Sequence, residues 1–334
     1  MPVFNGERFL GEAIDSILGQ SFRDFECIVV DDGSTDRTPD LLAATQARDP
    51  RVVVHRQRGN TGFRSALNAG CALARGEFIA RMDADDVSLP TRLDRQIAFL
   101  RTYPRVGAVG SAVQLIDERG TRGRVKTYPS GSGLAAWSML FFNSLAHPTV
   151  TMRRAVLESI GFFPAGCAGG TEDYAVFLDF SRKSRLANLS EVLLWYRVWG
   201  GSMTHVKWEV QERDAVRLLQ EFLREVFGFE LTVEMALSLR GLSRNQYPSQ
   251  PRDMERIGAM IERLVPLYVS RFADNRLDVR AIRKDASVRL WLLSALAARR
   301  SPLQAMSMAR RALSLSPLAF AEFLLKVTRR LARR

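Results

Sequence analysis

Phe25-Glu26-Cys27-Ile28-Val29-Val30 runs directly into Asp31-Asp32-Gly33-Ser34-Thr35-Asp36. The first six residues are strand-like and the next six carry a loop signature. The same device recurs where Glu77-Phe78-Ile79-Ala80-Arg81 runs into Met82-Asp83-Ala84-Asp85-Asp86. Between and around these strands the period changes. Phe9, Leu10, Ala13, Ile14, Ile17 and Leu18 fall at helical spacing within 7–20. Further helices are predicted over 36–48, 62–74 and 89–103, and strands over 51–56 and 106–115. Strand and helix alternating at this pitch predict an α/β fold, with βαβ units and a mostly parallel sheet flanked by helices. Open sheets of this kind bind ligands at the carboxyl ends of their strands, where both acidic clusters stand.

From residue 209 onward the pattern is helical, with 3.6-type periodicity over 216–227, 253–268, 279–298 and 303–315. Breaks are expected at 241–251, Pro266, Pro302 and Pro317. A boundary near His205 divides the chain into 1–205 and an α-helical C-terminal region, 206–334. With 334 residues, 46% hydrophobic and 25% charged, the composition is that of a globular protein and excludes disordered, collagen-like and fibrous classes. No apolar run reaches the roughly 18 residues of a membrane span. The first residues show neither a basic n-region nor an apolar h-region, so no signal peptide is expected. Cys27, Cys71 and Cys167 lie far apart, which argues against a disulfide scaffold or zinc ribbon and for a reducing, cytoplasmic setting. The net charge is +12, and residues 206–334 hold 24 Lys/Arg against 14 Asp/Glu. Such a segment prefers an anionic partner.

Three local constellations can carry chemistry. Asp83, Asp85 and Asp86 repel one another at the end of an apolar strand, and a divalent cation relieves that cost. Mg²⁺ and Mn²⁺ take oxygen ligands, commonly one or two carboxylates completed by substrate phosphates. Asp31-Asp32 reads as a capped turn, with Ser34 or Thr35 capping, or as a carboxylate turned toward a nucleobase. Thr171-Glu172-Asp173 follows a Gly-rich loop and precedes an apolar helix. It reads either as Thr171 capping that helix or as a general base on a loop that closes over substrate.

Together these pieces resemble glycosyltransferase family 2, inverting enzymes of the GT-A fold. In order they are Pro2-Val3-Phe4-Asn5-Gly6, the Val29–Asp36 run, Asn60-Thr61-Gly62, the Gly76–Asp86 run, His147-Pro148-Thr149-Val150, Glu172-Asp173, and Tyr196-Arg197-Val198-Trp199-Gly200-Gly201-Ser202-Met203-Thr204. The resemblance spans about residues 2–204. It implies a Rossmann-like sheet and transfer of a sugar from a nucleoside diphosphate donor, UDP favoured, to a glycan or lipid-linked acceptor. Cell-surface polysaccharide synthesis is the implied setting. Pro2, Val3 and Asn5 would sit beside the nucleoside, and Asp32 would hydrogen-bond the base. Asp85 and Asp83 would hold Mn²⁺ or Mg²⁺, with Asp83 nearer the ribose and phosphates and Arg64 near the diphosphate. Asp173 would be the general base and Glu172 would support the acceptor side. Asp86 would lie beside the donor sugar or diphosphate, and His147, opening a strand-like run, would lie near the acceptor or serve as a satisfied structural histidine.

Two departures stand out. The apolar strand that precedes Pro-Val-Phe-Asn in the family is absent here, so the first strand is expected to be truncated. Trp199 stands where many relatives have a histidine; it can stack on a sugar, while His205 lies six residues on. Residues 318–334 read as a basic amphipathic helix, which suits the anionic cytoplasmic face of the inner membrane or simple packing. Other classes fit less well. Aromatic residues do not interleave with the cations as nucleic-acid binding requires, and the acidic clusters repel phosphate. A nucleotidyltransferase needs an N-terminal Gly-rich phosphate loop, which is absent here. A degenerate, non-catalytic transferase-like scaffold is disfavoured because Asp32, Asp83, Asp85 and Asp173 are all present.

Overall fold

A computed structural model describes residues 1–167, 170–200, 208–321 and 323–324. The first elements are β1 (Pro2–Val3), α1 (Leu10–Leu18), β2 (Cys27–Asp31), α2 (Thr38–Arg48), β3 (Val52–Arg56) and α3 (Phe63–Leu73). Val29 and Val30 are fully buried, and Leu10, Ala13 and Ile14 put one face of α1 against Val29. β1, β2 and β3 form a parallel three-stranded sheet, registered at Pro2↔Val30 and Val30↔His55. β1 is two residues long, and the Met1 amino group just before it donates to the Ile28 carbonyl at 2.8 Å. A cleft of about 690 Å³ lies alongside, lined by Met1, Pro2, Cys27, Ile28, Phe78 and Ile79.

A second sheet follows, from β4 (Phe78–Ala80), β5 (Val87–Ser88), β6 (Val106–Ile116), β7 (Arg122–Lys126), β8 (Thr151–Arg153) and β9 (Arg185–Arg197). Its order is β4-β8-β6-β9-β5, with β7 on β6. Parallel pairing persists between β6 and β9, and the other pairs are antiparallel. Helices α4 (Arg92–Thr102), α6 (Arg154–Ser159) and α7 (Glu172–Lys183) complete this part. His147-Pro148-Thr149-Val150 is not the strand its composition predicts. Residues His147–Thr149 make one 3-10 turn, because Pro148 has no N–H for a ladder, and β8 begins only at Thr151.

The chain divides into two compact units: Met1–Ser130 with Ser144–Ala215, and Gly131–Asn143 with Val216–Arg334. The second unit contains α5 (Ser132–Ser138), most of α8 (Trp208–Phe227), α9 (Val233–Ser243), α10 (Pro251–Phe272), α11 (Arg276–Ala297) and α12 (Pro302–Leu315). Helix α5 comes from the first half of the sequence. The Trp137 indole donates to Asp285 at 2.8 Å, and its ring meets Tyr268 edge-on. Pro266 does not break the chain as expected; it lies inside α10. The ring faces solvent, so the Glu262 carbonyl it leaves without a donor can be hydrated, while buried Leu264, Val265 and Tyr268 hold the helix in place. Helix α9 was not anticipated. Among the described residues no helix is long and apolar enough to cross a membrane.

Candidate active site

Two acidic clusters stand at strand ends of the first unit, and they are wired differently. Asp32 is buried at the end of β2. It accepts hydrogen bonds from the Thr61 amide (2.8 Å), the Thr61 hydroxyl (2.9 Å) and the Gly62 amide (2.9 Å). Asp31 accepts from the Ser34 amide at 2.9 Å and pairs with Arg56 at 3.3 Å. The turn between them requires Gly33, whose φ is +78° and where a Cβ would lie 2.6 Å from the Gly59 backbone. Asn5, itself left-handed at φ 51°, accepts from the Thr35 amide through Oδ1, while its own amide donates to Ser34. Ser34 and Thr35 therefore do not cap α2 as expected. The Asp36 carboxylate takes the Thr38 amide instead.

The second cluster is short of partners. Asp83, Asp85 and Asp86 bring one carboxylate oxygen each to within 4.8 Å of one another. Burial and the charge of Asp83 raise the Asp85 carboxyl above the ordinary range. Burial, then the charges of Asp83 and Asp85, hold Asp86 well above it. Asp86 Oδ1 accepts the Arg197 amide at 2.8 Å, whereas its Oδ2 is buried without a hydrogen-bond partner. Asp85 accepts from the Trp199 indole at 2.9 Å. That indole also meets Phe9 edge-on, so the residue expected to stack on a sugar is engaged at the acidic cluster. An all-oxygen donor set with an orphaned buried oxygen and excess negative charge fits a hard divalent cation.

Two arginines that sequence reasoning passed over organise this cluster. Arg81 is buried and holds Asp83 in a two-pronged ion pair at 2.6 and 2.5 Å. Its backbone carbonyl is in turn fixed by buried Arg92 at 2.6 Å. Arg197, at the end of β9, donates to the Asp85 carbonyl, the Asp117 carbonyl and Glu12. Both lie in segments quoted for their neighbours, and only the tertiary fold reveals their reach.

Glu172 and Asp173 open α7. Burial raises the Glu172 carboxyl, and Asp83 adds to this while Arg81 and Arg64 oppose it, which places Arg64 within electrostatic reach of Glu172. Burial, reinforced by Glu172, pushes Asp173 up to about 7. A carboxyl poised there can take a proton near neutral pH. Tyr128, another residue the sequence did not single out, is raised by burial and by the charge of Asp173. Thr171 sits at the N-cap position but makes no capping bond; its hydroxyl donates to buried Asp214 of α8 at 2.6 Å. His147 is enclosed by Phe63, Phe163 and Phe177 at centroid distances of 6.3, 5.5 and 6.0 Å. Burial, aided by Arg81, keeps its imidazole neutral. Pro2 and Val3 are buried in β1. His205 and the basic end Lys326–Arg334 lie outside the described residues.

The chain is similar to known sugar transferases. It is 34% identical to a putative glycosyltransferase of Bacillus subtilis, EpsE, over 58% of this chain and 69% of that protein. It is 33% identical to the O-antigen biosynthesis glycosyltransferase WbnJ of Escherichia coli, over 59% of this chain and 78% of that protein. The fold matches S. aureus TarS, solved with UDP-GlcNAc, at TM-score 0.55 and 18% identity, covering 93% of this chain and 88% of that one. It also matches the Pyrobaculum calidifontis mannosyltransferase PcManGT, solved with GDP-Man and Mn²⁺, at TM-score 0.51 and 17% identity, covering 97% and 85%. The family model "Glycosyl transferase family 2" matches residues 1–175, more than half of the chain and the part that carries both acidic clusters and Asp173. The chain belongs to glycosyl transferase family 2.

Proposed function

We propose that this protein transfers a sugar, with inversion, from a UDP-linked donor to a hydroxyl of a polysaccharide or lipid-linked glycan under construction at the cytoplasmic face of the membrane. Residues 1–205 are the catalytic part in this reading. The observation that carries it is the pairing of an under-neutralised acidic trio with a separate carboxyl, Asp173, raised to about 7. The O-antigen relative supports the polysaccharide setting, and the TarS complex supports UDP.

Asp85 and Asp83, with Asp86 beside them, would hold Mn²⁺ or Mg²⁺, which neutralises charge developing on the diphosphate. Pro2, Val3, Asn5 and Asp32 line the nucleoside side, and Arg64 faces the diphosphate. Asp173 accepts the acceptor hydroxyl proton as that oxygen bonds to the anomeric carbon. The bond from the anomeric carbon to the phosphate oxygen breaks, and the nucleoside diphosphate leaves. A single displacement inverts the anomeric centre. Burial, reinforced by Glu172, keeps the base raised, and Glu172 shapes the acceptor side, where His147 contributes a neutral wall.

The test is a thermal-shift series with UDP, GDP, dTDP and CMP, each with and without Mn²⁺, on the protein and on Asp85→Ala. Stabilisation by UDP that needs Mn²⁺ and disappears in Asp85→Ala is the expected result. Silence with every nucleotide overturns the reading, and a larger shift with GDP reassigns the donor.

A further inference from the structure

We infer that the α11–α12 hairpin is a docking surface for an anionic lipid bilayer. Residues 276–315 carry nine Lys/Arg and only two Asp/Glu. Both acids are already engaged inside the second unit. Asp278 accepts the amides of Gly133 and Asp274, and Asp285 accepts the Trp137 indole and pairs with Arg289. Arg289 pairs with Asp285 and Arg311 with Glu262 of α10, whereas Arg276, Arg280, Arg283, Arg299, Arg300 and Arg310 are exposed.

Helix α12 adds an apolar face. Ala305, Met308 and Ala312, spaced three and four residues apart, are its buried stripe. The opposite stripe is Leu303, Met306, Arg310 and Leu313. A solvated helix face is polar, yet here Leu303 is 81% exposed and Met306 68%. Exposed Arg299 and Arg300 immediately precede this stripe, and α12 itself contains no acid.

Charge selects the occupant. A second copy of this face would set arginine against arginine. A nucleic acid would meet aliphatic side chains and no stacking aromatic residue on α12. An anionic bilayer takes both components: aliphatic side chains enter the headgroup boundary while guanidinium groups meet lipid phosphates. The inference rests on residues 276–315 alone, and it stands or falls independently of the catalytic reading.

The experiment is co-sedimentation of the full chain with phosphatidylcholine vesicles, with and without phosphatidylglycerol. Two variants are run alongside, Leu303→Gln/Met306→Gln/Leu313→Gln and Arg299→Gln/Arg300→Gln/Arg310→Gln. All six positions are exposed, and melting curves matching the parent confirm that both variants fold. Binding is expected only to phosphatidylglycerol vesicles, reduced about tenfold or more in each variant. Three results overturn the inference: no binding of the parent to either vesicle, equal binding to both, or variants that bind like the parent. A dimer in sedimentation velocity that the leucine variant dissolves also overturns it, in favour of self-association.

Discussion

Asp31-Asp32 and Asp83–Asp86 look alike in sequence: acids at the end of an apolar strand. Their surroundings differ in how far the chain itself neutralises them. In the first pair Asp32 is filled by Thr61 and Gly62, and Asp31 accepts from Ser34 while its Oδ2, without a hydrogen-bond partner, is neutralised by Arg56 at 3.3 Å. The second set, in contrast, leaves a buried Asp86 oxygen without a partner and keeps Asp85 and Asp86 raised. A carboxylate whose lone pairs are filled by backbone amides organises the fold. One left short is a place where charge from outside is wanted. Glu172 and Asp173 share with the second set carboxyls raised by burial.

Three experiments break or sharpen this contrast. The largest effect is expected at Asp173. Asp173→Asn should lower the transfer rate by about 10²–10⁴-fold with the fold intact. In the parent, kcat should rise with pH and level off above about 7, since the working form is the carboxylate; this limb should vanish in the variant. A parent rate that is flat between pH 5 and about 8 would remove Asp173 as the base. Asp32→Ala comes next. It strands the Thr61 and Gly62 donors and should cost about 2–4 kcal/mol in denaturant unfolding, while Mn²⁺ still raises the Tm. Loss of the metal response in that variant would erase the distinction between the clusters. The smallest effect is on stability without metal. Asp85, Asp86 and Asp173 bind protons more tightly folded than unfolded, so folding takes up protons. Stability should therefore fall as pH rises from the ordinary carboxylate range through about 7, and Mn²⁺ should flatten that slope. A metal-free protein that gains stability over the same interval would contradict the burial of these acids.

Much of this was legible because it is local. The strand ending in Asp31 and the one that runs toward Asp83 declare themselves by apolar run and acid, and α1 by its period. What was not legible depends on contacts distant in sequence. Arg81 looks like a flanking residue until it is seen buried on Asp83. Arg197 gains its importance from Glu12, 185 residues away. Thr171 reads as a cap because only the fold shows Asp214 competing for its hydroxyl. His147 carries no local sign of the phenylalanines that enclose it. Helix α5 is hidden for the same reason, since Trp137 finds Asp285 only in three dimensions. Pro266 shows the converse: a strong local signal outweighed by the buried residues on either side.

On the proposed function, the Arg81–Asp83 pair sets an order of events. A guanidinium already occupies one of the carboxylates that a metal would use, so an arriving dication must compete for Asp83 rather than simply fill a gap. Alone, it meets that competition unaided. Arriving with a diphosphate, it brings extra oxygens of its own and offers the displaced guanidinium a new anion. The donor and its ion should therefore load together, each weak without the other, and titration calorimetry of either in the presence of its companion reads that synergy directly.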